Sequence, residues 1–170
     1  RSNSTDNVLE HVVIEYAGGS EFSTGTLKDV PKANLMLNNH GDVPVRIAIR
    51  NTTLRHSDGW GFASGQGIPD ITAFENNTMT NNKAPARVRA ETGDDLATSN
   101  SFTGNDTDRV RITGKIDKEV SWANIDVPYY TKGGLRVKEG GASDPETGRK
   151  DHLRFRNVVA GPEREADRRR

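Results

Sequence analysis

The amino-acid sequence predicts an all-β fold of very short strands, wound as the coils of a parallel β-helix. Before position 115 the apolar stretches alternate with polar residues or are rich in β-branched residues, and each is closed by Gly, Asn or Asp. None of them repeats apolar residues at the period of an α-helix. A pattern of Asn, a hydroxyl residue and a large apolar residue recurs at intervals of 26 and then 23 residues. Recurrence at this distance indicates a repeat architecture.

The predicted strands follow one another closely along the chain. NVLEHVVIEYAGG (7–19) predicts a strand that stops at a Gly pair, because it is rich in β-branched residues. ANLMLNN (33–39) and VRIAIRNTTLRH (45–56) alternate apolar and polar residues before they break at turn residues. Further short strands are predicted in WGFAS, ITAFENNTMT, ARVRA, NSFTGN and DRVRITG.

The repeated pattern begins at Asn51, Asn77 and Asn100, and its units are Asn51-Thr52-Thr53-Leu54, Asn77-Thr78-Met79-Thr80 and Asn100-Ser101-Phe102-Thr103. A propeller blade needs about 40 residues, so the shorter coil of a parallel β-helix, here of about 23–26 residues, fits better. We predict that Leu54, Met79 and Phe102 point inward in one column. The following strands are predicted to align as Gly61-Phe62-Ala63, Ala86-Arg87-Val88 and Arg109-Val110-Arg111.

The repeated asparagines are predicted to be structural. Asn tolerates the left-handed backbone geometry of a turn, and its amide can bond to the backbone or to the Asn of the next coil. Equivalent side chains would then form ladders along the axis at the strand spacing of about 4.8 Å. Few apolar residues are needed in such a fold, because much of its cohesion is a lengthwise hydrogen-bond ladder.

Composition limits the classes of function. The chain has 170 residues, enough for one domain, and 32% of them are hydrophobic. Its net charge of zero argues against a nucleic-acid-binding protein, which would carry a surplus of Lys and Arg. No apolar run approaches the roughly 18 residues of a membrane span. The absence of Cys excludes disulfides, cysteine nucleophiles and thiolate metal sites.

The chain resembles the right-handed parallel β-helix repeat proteins that many bacteria and archaea secrete. LEHVVIEYAGG, NTTLRHSDGWGF, NNTMTNN and NSFTGNDTDRVRITG carry this resemblance. The segment from Trp122 to Val137 is similar to the junction between modules of that family, in which a Trp-containing link leads to a VPY strand and a hairpin. The resemblance covers about residues 7–157 and implies an extracellular or cell-surface location.

The expected domain organisation has three parts. Residues 1–114 form the β-helix coils, and residues 115–157 form the module junction and a β-hairpin that opens the next unit. Residues 158–170 form a flexible tail, because PEREADRRR carries charges of both signs and has no apolar stripe.

The ETGDD turn holds the candidates for catalysis and metal binding. The resemblance to β-helix enzymes that cleave polysaccharides implies carboxylates on one outer face, sometimes with Ca²⁺ and an Arg base. Asp94 and Asp95, with Arg87 and Arg89, are the catalytic candidates, and Glu91, Asp94 and Asp95 are the candidates for holding Ca²⁺. The interpretation that we favour is a solvated turn whose Asp residues cap backbone amides, with no metal or other cofactor.

Aromatic and basic side chains supply the candidates for binding. Trp60 could be a platform for a sugar ring or part of the core, whereas Phe62 is expected in the core. Tyr16, Tyr129 and Tyr130 share this ambiguity, and Trp60, Arg87 and Arg89 are the predicted binding residues. His40 and His56, one coil apart, form a further candidate for binding a metal.

Three functions follow from these observations. The first is a non-catalytic scaffold, assembly module or carbohydrate-facing binding unit. The second is a polysaccharide lyase or glycoside hydrolase domain that uses Asp94 and Asp95 with Arg87 and Arg89. The third is end-to-end assembly into a homo-oligomer, because the ends of a β-helix expose pairing edges. The expected partners are a polysaccharide, other copies or flanking modules, with no nucleic acid and no membrane insertion.

Overall fold

The computed structural model describes residues 7–19, 31–39, 44–65, 67–118, 120–132, 135–137 and 158–160. The first seven strands are β1 (Asn7–Glu10), β2 (Val13–Glu15), β3 (Ala33–Leu37), β4 (Arg46–Arg50), β5 (Thr53–Arg55), β6 (Trp60–Ser64) and β7 (Asp70–Glu75). The others are β8 (Thr78–Thr80), β9 (Ala84–Arg89), β10 (Val110–Thr113), β11 (Lys115–Ile116), β12 (Tyr129–Thr131), β13 (Arg136–Val137) and β14 (Val158–Ala160). A short 3-10 helix, Thr92–Asp95, follows β9.

Three parallel sheets combine strands that are distant in the sequence. The first sheet has the order β1-β4-β7, the second β2-β5-β8, and the third β14-β12-β10-β9-β6-β3, while β11 pairs with β13. The chain contributes one strand to each of the three sheets in turn and then repeats the sequence, first with β4, β5 and β6 and then with β7, β8 and β9. We call each such stretch a pass. The predicted all-β class with parallel strands is confirmed.

Successive passes align at nearly constant intervals. Leu54 lies opposite Met79, which is 79 − 54 = 25 positions later. Ala86 lies opposite Val110, which is 110 − 86 = 24 positions later. The first two passes are more widely spaced, because Leu9 lies opposite Ile49, which is 49 − 9 = 40 positions later.

The predicted inward column is confirmed. Leu54 and Met79 face each other in the second sheet, and Thr78 forms a parallel bridge with Ser101, which places Phe102 next in line. All three apolar side chains have 0% exposure. They belong to one core cluster that also receives Phe74 and Ile49 from the first sheet.

The predicted alignment of the third sheet was wrong by one residue. Ala86 lies opposite Phe62 and Val110, whereas the sequence alignment had placed Gly61 and Arg109 there. A shift of one residue turns every side chain of a strand to the other face. The observed register wins because it leaves Phe62, Ala86 and Val110 each with 0% exposure.

The chain turns between sheets at single residues with left-handed backbone geometry. Asn51 and Asn76, with φ of 49° and 54°, separate the first sheet from the second, and Asn81, with φ of 54°, separates the second from the third. Asn adopts this conformation more readily than most residues with a side chain. The equivalent residues of other passes are His11 at the first corner and Tyr16 and His56 at the second.

A buried asparagine follows the left-handed residue at the first corner. Oδ1 of Asn77 accepts from the N–H of Thr52 at 3.0 Å, and its Nδ2 donates to the carbonyl of Ile49 at 2.9 Å. One pass later, Oδ1 of Asn100 accepts from the N–H of Asn77, and its Nδ2 donates to the carbonyl of Phe74. Each amide therefore bonds the backbone of its own pass to that of the pass before.

The second corner repeats this arrangement. Oδ1 of Asn82 accepts from the N–H of Ser57 at 3.0 Å, and its Nδ2 donates to the carbonyl of Leu54 at 2.9 Å. Asn105 makes the same two bonds to the N–H of Asn82 and the carbonyl of Met79. In the segment NNTMTNN, the first Asn of each pair, Asn76 or Asn81, therefore makes the turn. The second, Asn77 or Asn82, bonds to the backbone of the pass before, and we call each series of such bonds an asparagine ladder. The predicted structural role is confirmed for Asn77 and Asn100. The predicted equivalence of Asn51 to Asn77 was wrong by one residue, because Asn51 makes the turn, as Asn76 does, and Thr52 occupies the position of Asn77.

The third sheet extends beyond the predicted boundary at residue 114. Tyr129–Thr131 pairs with β10, and Val158–Ala160, within the segment assigned to the tail, pairs with Tyr129–Thr131. Arg136–Val137 pairs in parallel with Lys115–Ile116. The remainder of the predicted β-hairpin lies outside the described residues.

We expect Asn82→Ala to lower the free energy of unfolding by about 3 kcal/mol. The side chain is 2% exposed, so its removal leaves the N–H of Ser57 and the carbonyl of Leu54 buried without these bonds. The neighbouring Asn81→Gly is the control, because Asn81 is exposed with positive φ, and we expect a change below about 1 kcal/mol. Denaturant unfolding measures both. Equal destabilisation of the two variants would contradict the ladder.

Candidate functional site

The acidic turn, residues Glu91–Asp95, follows β9 and packs against β7 and β9. Glu91 is 2% exposed, and its Oε2 lies 3.9 Å from Nε of Arg89. Neither this oxygen nor Oγ1 of the buried Thr92 has a hydrogen-bond partner among the described atoms. Glu91 is therefore directed into the protein and is not part of an exposed carboxylate cluster.

Asp94 and Asp95 lie against the chain segment that follows β11. Oδ1 of Asp94 accepts from the backbone N–H of Ser121 at 2.8 Å, as expected of an Asp side chain that binds a backbone amide. The expectation of a solvated turn was wrong, because Glu91, Thr92 and Gly93 are buried. The pKa of Asp95 is raised from its ordinary value of 3.8 to about 6, first by burial and then by the charge of the neighbouring Asp94. The charge of Lys118 opposes this shift, and that of Asp70 adds to it.

Arg87 and these carboxylates belong to different elements. Arg87 lies within β9, opposite Ala63 and Arg111, whereas Asp94 and Asp95 lie in the 3-10 helix that follows β9. The charges that shift the pKa of Asp95 are those of Asp94, Lys118 and Asp70. The catalytic candidates are thus divided between a strand and the turn that follows it.

The acidic turn does not form a cage for a metal ion. Within the part of the chain that the structure describes, no group of three or more His, Asp or Glu residues could hold a metal. Glu91, Asp94 and Asp95 do not belong to such a group, and binding of Ca²⁺ at this turn stays a prediction. The other metal candidate cannot be placed, because His40 lies outside the described residues.

Four arginines, Arg87, Arg89, Arg109 and Arg111, form what we call the arginine patch of the third sheet. Arg87 and Arg111 are directly opposite each other in β9 and β10, and Arg89 lies opposite Thr113. Arg109, which is exposed, immediately precedes β10, with its guanidinium carbon 4.1 Å from the centre of the Tyr130 ring. Two of these residues, Arg87 and Arg89, were predicted from the sequence.

Strand arginines on the other two sheets have acidic residues opposite them. In the first sheet Arg46 lies 3.4 Å from Asp70. Arg50 in the same sheet lies 3.6 Å from Glu75. In the second sheet Arg55 lies 2.6 Å from Glu15. By contrast, the described strands β6, β9, β10 and β12 contain no Asp or Glu. Arg89, at the end of β9, lies 3.9 Å from the carboxylate of Glu91 in the turn that follows.

Tyr16 and His56 form what we call the aromatic corner. They occupy equivalent positions in the first and second passes, and their rings stack with a centroid separation of 4.9 Å and an angle of 8°. Tyr16 is 74% exposed, and both residues have φ of 58°. The later passes have Asn81 and Gly104 at this corner. The likeness of EYAGG (15–19) to RHSDG (55–59) was the sequence signal that could have identified the pair.

Trp60 and Phe62 lie in β6, and Phe62 is in the core as expected, with 0% exposure. Trp60 is half-buried and lies opposite Ala33 and Ala84. Arg87 is opposite Ala63, three positions further along the strand, which corresponds to about 10 Å. The predicted binding residues Trp60 and Arg87 therefore do not occupy one position on the sheet.

The tyrosines of β12 are both largely buried. Tyr129 is 1% exposed, and its hydroxyl donates to the carbonyl of Ala123 at 3.0 Å. Burial raises the pKa of Tyr129, and the charge of Asp94 raises it further. Tyr130 is 9% exposed and lies beneath Arg109. Of the tyrosines considered as platforms, Tyr16 is therefore the one with a broad exposed surface.

Comparison of the chain with protein families, curated proteins and solved structures finds no match. In the described ranges, no helix has the length and apolar character needed to cross a membrane.

We expect Asp95→Asn to stabilise the protein at pH 7.5 but not at pH 4. Because the folded-state pKa of about 6 exceeds the unfolded value, the folded state binds the proton more tightly. The contribution of Asp95 to stability is thus greatest below about pH 4, falls as pH rises from about 4 to 6, and stays lower above. The gain is about 1 kcal/mol at pH 7.5, discounted because Asp95 is only partly buried.

Thermal unfolding of this variant at the two pH values measures the effect. The control is Asp106→Asn, which removes an exposed carboxylate and should give no such difference. A gain of the same size at both pH values would show that Asp95 does not cause the pH dependence.

Proposed function

We propose that the chain is a non-catalytic, extracellular or cell-surface module that folds as a right-handed parallel β-helix and binds carbohydrate. In this proposal each pass is a coil, and the three parallel sheets are the faces of a rigid scaffold. The repeated visits to the three sheets support it, as do the intervals of 24 and 25 residues and the two asparagine ladders. The resemblance noted from the sequence adds to this support.

The aromatic corner is the observation that carries the carbohydrate-binding proposal. A bulky residue with left-handed backbone geometry costs about 1–2 kcal/mol, and such strain persists where it serves a purpose. Tyr16 and His56 bear this cost at a corner where the protein elsewhere uses Asn81 or Gly104. Tyr16, which carries a flat aromatic ring, is 74% exposed to solvent. The C–H groups on one face of a pyranose ring pack well against such a surface.

Polar groups suited to sugar hydroxyls lie beside the rings. Glu15 and Arg55 immediately precede Tyr16 and His56 and form an ion pair at 2.6 Å. An aromatic surface with a few directional hydrogen-bonding groups is the usual composition of a small-ligand site. The corner therefore combines a stacking surface with donors and acceptors.

One observation favours the second candidate, a polysaccharide lyase or glycoside hydrolase domain. Asp95, with a pKa of about 6 beside Asp94, could act as an acid near neutral pH. The division of the candidates between Arg87 and the acidic turn favours the non-catalytic proposal. Assembly into a homo-oligomer stays a prediction.

Affinity electrophoresis tests the proposal with a panel of neutral polysaccharides, namely β-glucan, xylan and galactomannan. We expect at least one to retard the parent protein, Tyr16→Phe to bind equally, and Tyr16→Asn to bind at least tenfold more weakly. Tyr16→Asn should melt within about 3 °C of the parent, because the lost ring stacking and the relieved backbone strain are each about 1 kcal/mol. Failure of all three polysaccharides to bind, or unchanged binding by Tyr16→Asn, would refute the carbohydrate site.

A further inference from the structure

We infer that an extended, linear polysaccharide lies along the stack of passes, from the aromatic corner of the first two passes to hydroxyl side chains of the next two. This inference rests on the proposed function, because it assigns the direction and the length of the ligand at the same site. It adds Thr80, Asn81 and Thr103 as residues that bind the sugars beyond the aromatic rings.

The residues at the second corner form one column along the stack. The N–H of His56 donates to the carbonyl of Asn81, and the N–H of Asn81 donates to the carbonyl of Gly104. The ring of His56 stacks on that of Tyr16. The side chains of this column become smaller from pass to pass, from Tyr to His, Asn and Gly. The two rings therefore project further than the side chains of the later passes, which leaves space beside them for further sugars.

A line of polar side chains runs beside this column on the outer face of the second sheet. Register places Arg55 opposite both Glu15 and Thr80, and the line continues in the next pass at Thr103. The residue before each of Arg55, Thr80 and Thr103 is fully buried, so these three side chains point outward. The line thus consists of an ion pair in the first two passes and of hydroxyl groups in the next two.

The groups beyond the rings suit the hydroxyls of a sugar. Asn81 and Thr103 are exposed, and Thr80 is half-buried. An amide or a hydroxyl can both donate and accept, so each can bond to a sugar hydroxyl in either direction. The hydroxyl of Thr80 donates to the carbonyl of Gly104 at 3.3 Å, which leaves its oxygen able to accept. None of the three side chains carries a charge, and a neutral ligand therefore matches them.

The surface on the other side of the corner offers few groups to a ligand. The next residues along the chain, Ser57 in the second pass and Asn82 in the third, are 4% and 2% exposed. The amide of Asn82 is already bonded to the N–H of Ser57 and to the carbonyl of Leu54. A sugar chain that stacks on the rings therefore finds its further polar contacts on the second sheet.

The length of the line limits the number of sugars that can bind. Neighbouring strands are about 4.8 Å apart, so four passes span about 14 Å. In an extended chain of pyranoses each sugar advances by roughly one strand spacing, so about four sugars should bind, one beside each pass. A polysaccharide that coils away after each linkage would contact only the rings.

Titration calorimetry with cello-, xylo- and manno-oligosaccharides of two, four and six sugars tests the inference. In the series that binds, we expect the affinity to rise at least tenfold from the disaccharide to the tetrasaccharide and less than twofold beyond it. The double variant Thr80→Val/Thr103→Val should bind the tetrasaccharide at least fivefold more weakly but the disaccharide within twofold of the parent. This variant should fold, because Val keeps the branched shape that suits a strand.

The matched control is Thr53→Val/Thr78→Val, which makes the same change in the other outward line of the second sheet, farther from the corner. We expect it to bind both oligosaccharides within twofold of the parent. A polysaccharide that crossed the sheet within one pass would instead lose affinity in this control. If the variant of Thr80 and Thr103 does not fold, Asn81→Gly, which suits the positive φ of this position, should still weaken tetrasaccharide binding about threefold.

Three outcomes would overturn the inference. They are an affinity that does not depend on chain length, parental binding of the tetrasaccharide by Thr80→Val/Thr103→Val, and an equal loss in the control. Tyr16→Asn in the same assay separates the inference from the proposed function. If Tyr16→Asn alone loses binding, the aromatic corner stands and the direction of the chain is wrong. If no oligosaccharide and no polysaccharide binds the parent, both proposals fail.

Discussion

The amide side chains of four asparagines join the third pass of the chain to the second, and the following pass to the third, at the two corners between the sheets. Strand pairing satisfies backbone groups within the sheets, but the chain must also turn, and a buried N–H or carbonyl at a turn needs another partner. Asn77 and Asn100 supply an acceptor and a donor at one corner, and Asn82 and Asn105 do so at the other. Since these bonds run along the stack, a chain with 32% hydrophobic residues can still align its apolar side chains in columns.

The sequence predicted the apolar column of the second sheet but not the register of the third. The recurring Asn pattern predicted the apolar column of the second sheet. Leu54, Met79 and Phe102 each lie two positions after an equivalent residue of the first corner. These equivalent residues are Thr52, Asn77 and Asn100. Phe62 and Ala86 occupy the same core position of the third sheet in successive passes. Phe62 lies 10 residues after Thr52, since 62 − 52 = 10, but Ala86 lies 9 residues after Asn77, since 86 − 77 = 9. No sequence motif marks this difference of one residue, and burial of the apolar side chains decides which face of each strand points inward. Tyr16 was likewise hidden, because it lies 40 positions from His56, since 56 − 16 = 40, whereas later passes are 24 or 25 apart.

Local physics is unfavourable at several places outside the apolar columns. Tyr16 and His56 adopt a backbone geometry that suits Asn or Gly, and Asp95 is partly buried beside Asp94. In the same turn, Oε2 of the buried Glu91 has no hydrogen-bond partner among the described atoms. Departures from local preference are expected at functional positions, because selection there acts on the ligand as well as on stability. The aromatic corner is the surface to which we assign binding of carbohydrate, and the acidic turn holds residues of the enzymatic alternative.

Amide hydrogen exchange in the native state tests the role of the asparagine ladders most directly. The backbone N–H groups of Thr52, Ser57, Asn77 and Asn82 lie at turns, where exchange is ordinarily fast, but each donates to an asparagine Oδ1 of the following pass. We expect all four to exchange as slowly as the N–H of Met79, the middle residue of β8, because they open only when passes separate. Exchange at the rate of an exposed loop, with Met79 still protected, would show that strand pairing alone holds the passes together.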